Sequence, residues 1–364
     1  MALTTVSVPT KRVRRFAGSI PFASGEPANP LRLPQSDYLV GIELQLAGTM
    51  TCIGIASNTL LSKGPAGLAA GVVLNINGSA IPLSADGFGH KLLSLIDDPG
   101  TGFPEIAPVT SSASPGTANT WAATIPLKVG MSEQRNDLRG AVWCGSSAIN
   151  ATLEVTWATE SQVVGLGSGN TATFSGAINV YTISMNAPAP TPPTKQGTAG
   201  GLWAQSSWLH LWTKKQFSAV STGDNTIDLD TGNIITRLAF AVKNNGTYAT
   251  DVVDHAVVNI QDLVQTDYYD KQSLRSHLVS RYRFPFDSST GLPYVPSAAG
   301  ATEFTGVYVI DFFETFTDRD EIDLRGVSQA SLIVTIPSSA SLVSPTLDLY
   351  QEQLVPLSAP ITLG

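Results

Sequence analysis

Short segments in which apolar and polar residues alternate run through the whole chain, and they predict strands. In Ile42–Leu46 the apolar side chains occupy every second position. The same period of two recurs in Ile178–Ser184 and in Leu347–Leu349. Glycine, proline, serine, asparagine and aspartate interrupt the pattern after about ten residues, as in sandwiches and barrels. The alternation therefore predicts an all-β protein whose strands bury at least one face.

Two segments have a helical pattern instead. They are Gly89–Asp97 (GHKLLSLID) and Asp270–Ser280 (DKQSLRSHLVS). Each is short and lies in a long connection between predicted strands. The sequence therefore predicts one short helix in each half of the chain.

The tetrapeptide Asp-Leu-Arg-Gly occurs twice, at 137–140 and at 323–326. Three further blocks match in the same order, namely 33–49 with 229–247, 151–157 with 330–336, and 178–181 with 347–350. The separation between matched blocks falls from 196 residues (Leu33 to Leu229) to 169 residues (Ile178 to Leu347). An ordered set of matches with shrinking offsets predicts a duplicated domain whose second copy has shorter loops.

The duplication predicts two tandem eight-stranded jelly-roll barrels with short helices in their loops, because eight strands per copy suit that architecture. The first barrel is predicted over 15–186 and the second over 215–356. Residues 187–214 are predicted to be a linker rich in proline and glycine that carries a tryptophan cluster. Residues 1–14 are predicted to be a basic N-terminal arm, and residues 357–364 a C-terminal tail.

Charged residues make up only 14% of the chain, well below the roughly 25% of ordinary soluble proteins. This suggests that neighbouring molecules cover much of the surface. The formal net charge of −8 argues against a general coating of nucleic acid. The two cysteines, Cys52 and Cys144, are predicted to be free and buried, since a protein of this size needs no disulfide scaffold.

The repeated tetrapeptide is interpreted as a structural turn rather than as a catalytic pair. In such a turn the aspartate accepts backbone amides, the arginine ties across and the glycine relaxes the backbone. The predicted turn residues are Asp137, Arg139, Gly140, Asp323, Arg325 and Gly326.

The remaining candidates for chemistry are isolated in the sequence. The four histidines (His90, His210, His255 and His277) have no second ligand at metal spacing. Trp203, Trp208 and Trp212 could form a sugar-stacking platform, or they could pack a linker between two domains. The sequence therefore predicts no catalytic residue, no metal and no cofactor, and the protein is not expected to be an enzyme.

Four basic residues lie near the start of the chain, at Lys11, Arg12, Arg14 and Arg15, and the first acidic residue is Glu26. A frayed, solvated terminus is one interpretation of this cluster. The functional alternative is an arm that meets phosphate, either on lipid headgroups or on nucleic acid.

Two tandem jelly rolls, low charge, no catalytic set and a basic arm together resemble the double jelly-roll major capsid proteins of tailless icosahedral viruses. Many of these viruses are bacteriophages with an internal membrane. The resemblance implies a homotrimer with a pseudo-hexagonal outline that tiles a viral shell. It also implies penton and minor capsid proteins as partners, and membrane lipid or genome as the partner of the arm. The chain would be made in the host cytoplasm and would end in the virion. The alternative is a phage spike or fibre, or a two-domain carbohydrate-binding β-sandwich protein.

Overall fold

The computed structural model describes residues 11–36, 38–61, 63–78, 80–97, 105–130, 140–145, 149–186, 208–245, 247–248, 252–260, 266–284, 306–312 and 322–356. Strands dominate this part of the chain, as the alternation predicts. The strands and the two α-helices form two units, one from each half of the chain. No helix in the described ranges is long and apolar enough to cross a membrane.

The first unit extends from Lys11 to Asn186. Its strands are β1 (Lys11–Pro21), β2 (Leu31–Arg32), β3 (Tyr38–Ile53), β4 (Thr59–Leu60), β5 (Ala69–Ile76), β6 (Ala80–Ala85), β7 (Glu105–Ile106), β8 (Thr117–Lys128), β9 (Val142–Trp143), β10 (Ala151–Trp157), β11 (Val164–Gly165) and β12 (Thr171–Asn186). Helix α1 (Gly87–Asp97) follows β6 directly.

The second unit extends from Trp208 to Pro356. Its strands are β13 (Trp208–Phe217), β14 (Gly223–Asp228), β15 (Ile234–Asn244), β16 (Thr247–Tyr248), β17 (His255–Ile260), β18 (Thr266–Asp270), β19 (Val307–Asp311), β20 (Ile322–Asp323), β21 (Ala330–Ile336) and β22 (Thr346–Pro356). Helix α2 (Lys271–Ser280) follows β18, at the place that α1 occupies in the first unit.

The two units have the same strand order. In the first unit, one antiparallel sheet has the order β1-β12-β3-β8 and the facing sheet has the order β6-β5-β10-β2. In the second unit, the sheet that corresponds to β1-β12-β3-β8 has the order β13-β22-β15-β19. The sheet that corresponds to β6-β5-β10-β2 has the order β18-β17-β21-β14. Each unit is thus a sandwich of two four-stranded sheets, with minor strands added at the margins.

The pairing registers of the long strands also match between the units. Tyr181 of β12 pairs with Glu43, and Tyr350 of β22 pairs with Ala239. Five residues before Glu43 in β3 and five residues before Ala239 in β15, each pairing ends on the first residue of the strand, Tyr38 or Ile234. A β-bulge interrupts both pairings at the same place, and it skips one residue of β3 and one of β15. A shared bulge is strong evidence for duplication, because bulges are retained as specific structural features.

Both cores arise from the alternation that the sequence shows. In β10 every second residue from Ala151 to Trp157 is buried, and in β21 every second residue from Ala330 to Ile336. The larger buried cluster is not confined to the first unit, since it also includes Trp212, Ala239 and Tyr350 of the second. The larger core therefore continues across the contact between the units.

Two glycines bring β3 and β12 close together. Gly48 and Gly176 are register partners, and the ring of Phe174 lies over both of them. A Cβ atom at Gly176 would lie 2.4 Å from the carbonyl oxygen of Ala47 and 2.7 Å from Cα of Gly48. Any side chain at this position therefore collides with backbone, which cannot move away without breaking the ladder.

Gly176→Val is expected to lower the free energy of unfolding by about 1–3 kcal/mol, because overpacking forces the backbone to shift. Thr173→Val in the same strand is the control, since Thr173 is exposed. Urea unfolding of both variants checks this expectation. Equal midpoints for the two variants would contradict the steric argument.

Candidate functional site

The two units are joined by a pair of parallel strands. Trp212 and Thr213 of β13 lie opposite Leu83 and Ser84 of β6. This pairing makes one continuous sheet from β15-β22-β13 of the second unit and β6-β5-β10-β2 of the first. We call this contact, together with the helix and charged side chains described below, the joint.

Helix α1 is the element of the first unit that fills the joint. Its residues from Gly87 to Ile96 are buried, whereas α2 buries only Leu274 and Leu278. The Gly89 position lies directly against Tyr350, since an added Cβ there would come within 2.2 Å of the tyrosine ring. The helix is thus packed by β8, β5 and β6 of its own unit and by Tyr350 of the second.

A charged cluster surrounds the start of α1. Asp86 caps the helix by accepting a hydrogen bond from the backbone N–H of Gly89 at 2.8 Å. The Asp86 carboxylate also contacts Lys63 and Lys214, the latter at 2.9 Å, and accepts a hydrogen bond from the hydroxyl of Tyr350 at 3.1 Å. Three of these partners lie on different elements, so Asp86 ties the first unit to β13 and β22.

Asp348 of β22 is the second carboxylate of the same cluster. It contacts Lys243 at 2.6 Å, Lys214 at 3.2 Å and Lys63 at 3.6 Å, and its side chain is fully buried. Lys214 and Lys63 thus lie between two aspartates, one from each unit. With three lysines and two aspartates, the cluster has a formal net charge of +1.

The ionisation of these groups follows from their surroundings. Burial opposes the charge on Asp86, but Lys63 and Lys214 outweigh burial and hold the pKa of this carboxyl well below its usual range. The pKa of Asp348 is lowered in the same way, against burial, by Lys63, Lys214 and Lys243. Burial, with repulsion from Lys63, lowers the pKa of Lys243 to about 8. Both carboxylates therefore remain charged at neutral pH.

A second charged cluster surrounds the end of α1. The guanidinium of Arg237 contacts Asp97 at 2.7 Å, Glu352 at 3.0 Å and Asp311 at 3.4 Å. Lys128 contacts Asp97 at 2.8 Å from the first unit. Burial opposes the charge on Arg237, but its three carboxylate partners raise its pKa well above the ordinary value. Arg237 therefore fastens the last residue of α1 to the second unit.

These two clusters bind the units together, and their chemistry is structural. Each carboxylate of the two clusters is paired with lysine or arginine side chains. Within the described ranges, no group of three or more histidine, cysteine, aspartate or glutamate side chains could hold a metal ion.

The basic residues predicted to form an arm lie in β1, which pairs with β12 along its length. The segment from Lys11 onward is therefore part of the first unit, because its backbone completes the sheet. Arg14 is already engaged, since it contacts Glu43 at 2.8 Å and its guanidinium lies 3.6 Å from the centre of the Tyr181 ring. Strand alternation places Arg12 and Arg14 on one face of β1 and Arg15 on the other.

The second copy of the repeated tetrapeptide lies at a turn. The carboxylate of Asp323 accepts hydrogen bonds from the backbone N–H of Arg325 at 3.0 Å and from its side chain, and Gly326 has φ of 84°. In the first copy, Asp137 and Arg139 lie outside the described residues, and Gly140 has φ of 74°.

The strands that follow or contain the tetrapeptides pair with the starts of β3 and β15. In the second unit, Asp323 of the tetrapeptide pairs with Ile234, the first residue of β15. In the first unit, the equivalent first residue of β3 is Tyr38, and it pairs with Trp143, which lies six residues after Asp137 in the sequence. The residue that lies opposite the start of the long strand is therefore part of the tetrapeptide in the second unit and follows it in the first.

The structure also places the other sequence candidates. Trp212 is fully buried and stacks on Tyr350 with ring centres 5.7 Å apart, so it packs the joint rather than offering a platform. Trp203 lies outside the described residues. His210 is buried against Glu352. Cys52 and Cys144 are free and buried, as predicted.

Sequence reasoning missed the residues of the joint. It found both helices but could not assign Asp86, Asp97 and Arg237 to a contact between units. One signal was present: an aspartate precedes each helix, as Asp86 before α1 and Asp270 before α2, and both accept the backbone N–H three residues later. The charges that meet Asp86 come from distant segments, and no local pattern links them.

No known family model matches the sequence, and no curated protein matches it. Among solved structures, the STIV MCP is 15% identical, covers 98% of this chain and all of its own, and superposes with a TM-score of 0.69. A chain from Sulfolobus turreted icosahedral virus is 14% identical over 95% of this chain and 91% of its own, with a TM-score of 0.70. The chain is a double jelly roll.

The major capsid protein P2 of bacteriophage PM2 has the same fold, with 13% identity, coverage of 95% of this chain and 97% of its own, and a TM-score of 0.50. The likeness spans both units of the double jelly roll and not one alone. The predicted fold class is therefore confirmed, including the duplication and the short helices in the loops.

Proposed function

We propose that this double jelly roll is a major capsid protein that forms trimeric capsomers of pseudo-hexagonal outline in an icosahedral viral shell. The observation that carries the proposal is the joint, which holds two copies of one fold in a single continuous sheet. Three such chains present six similar units around a ring, and a ring of this kind can tile a surface with one protein. The low fraction of charged residues supports extensive contacts between neighbours.

The full-length likeness to proteins whose names identify them as capsid proteins supports the same role. In this role the chain acts as a structural protein of the virion and not as an enzyme. Its further partners would be penton and minor capsid proteins, and its synthesis would take place in the host cytoplasm. The spike or carbohydrate-binding alternative loses support from Trp212, which is buried in the joint.

The sequence also predicts that Lys11, Arg12, Arg14 and Arg15 meet lipid headgroups or packaged nucleic acid. That contact stays a prediction, and clustered positive charge supports it. Because Arg14 and Arg15 lie in the edge strand β1, another copy of this chain is a second candidate partner for them.

The purified chain is expected to be a trimer in light scattering and to form hexagonally packed sheets or closed particles in electron micrographs. The contact between copies should bury an area above the roughly 2,000 Å² of permanent interfaces. A stable monomer at high concentration would contradict the proposal. Specific glycan binding by trimers that never assemble would favour the alternative.

A further inference from the structure

The joint inside the chain uses one edge of each unit, and the duplication leaves the matching edges open. Within the chain, the terminal strand β6 of the first unit pairs with the terminal strand β13 of the second. By strand order, β18 corresponds to β6 and β1 corresponds to β13. Both β18 and β1 are the last strands of their sheets among the described residues.

Pairing registers set the correspondence residue by residue. In the first unit, Arg14 and Arg15 of β1 pair with Ile183 and Thr182 of β12. In the second unit, the equivalent residues of β22 pair with Trp212 and Thr213 of β13. These two β13 residues are the ones that lie opposite β6 in the joint. Arg14 and Arg15 are therefore the counterparts of the residues that form the strand contact inside the chain.

The other side of the contact follows from the two helix caps. Asp86 and Asp270 each precede a helix and accept the backbone N–H three residues later. With these two residues aligned, Leu83 and Ser84 of β6 correspond to Asp267 and Tyr268 of β18. The registers of β5 with β10 and of β17 with β21 give the same alignment.

The open edges carry features that the joint uses when it is filled. In the joint, the flat indole of Trp212 stacks on Tyr350, and the hydroxyl of Tyr350 donates to Asp86. On the open edge, the flat guanidinium of Arg14 lies over Tyr181, the counterpart of Tyr350. The residue that corresponds to Asp86 is Asp270 of β18, and on a second copy it could accept from the hydroxyl of Tyr181 in the same way.

Each of the two edges exposes an aromatic side chain, and the two strands carry opposite charges. Phe16 on β1 is 58% exposed and Tyr268 on β18 is 61% exposed. β1 carries arginines at positions 14 and 15, whereas β18 carries aspartates at positions 267 and 270. Within the described residues, α2 buries only Leu274 and Leu278, whereas α1 is buried from Gly87 to Ile96. Charged edge strands also discourage indiscriminate pairing of unassembled chains.

We propose that β1 of one copy pairs in parallel with β18 of a second copy, so that the joint inside the chain is repeated between chains. Arg14 then lies beside Asp267, Arg15 lies beside Tyr268, and Tyr181 meets Asp270. The contact is heterologous, and three repeats of it close a ring of six units. This inference rests on the proposed function, since it assigns residues to the contact that the capsomer requires.

Disulfide trapping tests the register directly. Neighbouring strands lie about 4.8 Å apart, within the Cα separation that a disulfide spans. Arg15→Cys combined with Tyr268→Cys is expected to give covalently linked dimers and trimers on a non-reducing gel, which dithiothreitol converts to monomers. Thr213→Cys with Ser84→Cys is the matched control, and it should form the same bond within one chain. Thr173→Cys with Tyr268→Cys should give no linked species.

A second measurement needs no disulfide. Replacing Arg12, Arg14 and Arg15 by glutamine should raise the dissociation constant of the trimer about tenfold or more, while Arg32→Gln should leave it unchanged. The same proteins are tested for sedimentation with phosphatidylglycerol vesicles and for binding to duplex DNA. A triple variant that keeps its trimer but loses vesicle or DNA binding would overturn the inference and favour phosphate as the partner.

The outcomes separate this inference from the proposed function. A wild-type chain that never forms trimers contradicts both. Trimers and shells that form normally, with a bond at 84–213 but none at 15–268, leave the proposed function standing and overturn only the inferred contact.

Discussion

Replacing Arg237 by methionine is expected to lower the free energy of unfolding by about 3–5 kcal/mol, as when one partner of a buried ion pair is removed. The guanidinium is the shared partner of Asp97, Glu352 and Asp311. Methionine fills similar space but leaves these carboxylates short of positive charge in a buried site. Urea unfolding at neutral pH measures the loss.

Two comparisons make this prediction specific. Arg325→Met removes an arginine that pairs with Asp323 at an exposed turn, and it should leave the unfolding midpoint close to that of the wild type. Arg237→Lys keeps one positive charge but loses the forked geometry, so it should recover only part of the stability. If Arg237→Met unfolds at the wild-type midpoint, the cluster does not hold the units together.

Asp86→Asn is expected to cost about 3–5 kcal/mol at neutral pH, because Lys63 and Lys214 lose a buried carboxylate. Asparagine still caps a helix nearly as well as aspartate. The change therefore removes the charge while it preserves the cap. Asp228→Asn, at an exposed position in β14, is the control and should unfold like the wild type.

The pH dependence of this loss has a defined sign. The pKa of Asp86 is lowered in the folded chain, so the unfolded chain binds its proton more readily. The stabilisation by Asp86 is therefore complete above the unfolded pKa of about 3.9 and is lost as pH falls below it, toward the folded value. The difference between Asp86→Asn and the wild type should shrink as the pH falls from 4 toward 2. A difference that stays constant over that range would show that charge is not the cause.

Local patterns predicted the strands and helices correctly. Alternation placed the buried face of β3 at Ile42, Leu44 and Leu46, because side chains in a strand point to opposite sides in turn. The helix predicted over Gly89–Asp97 is observed over Gly87–Asp97, and that over Asp270–Ser280 is observed over Lys271–Ser280. These features depend on neighbouring residues only, so a single sequence contains enough information to predict them.

The repeat was readable for the same reason, but its register was not. Matching blocks showed that two copies exist, whereas only the structure shows that Trp143 of β9 and Asp323 of β20 lie opposite the first residues of β3 and β15. Sequence identity over four residues is a weaker constraint than a ladder of backbone hydrogen bonds. The basic cluster was likewise visible, but its place in β1 depends on hydrogen bonds to β12, about 170 residues further along the chain.

The order of residues alone is thus sufficient for the class of fold, the duplication and the position of each helix. Only the tertiary structure decided that α1 is buried between the units, that Asp86 and Asp97 anchor its two ends, and that Trp212 packs on Tyr350. Each of these facts depends on segments that are far apart in the chain and come together through the parallel pairing of β6 with β13. Burial then makes the interactions between their charges stronger than they would be in water. The low dielectric of the interior strengthens paired charges and penalises unpaired ones.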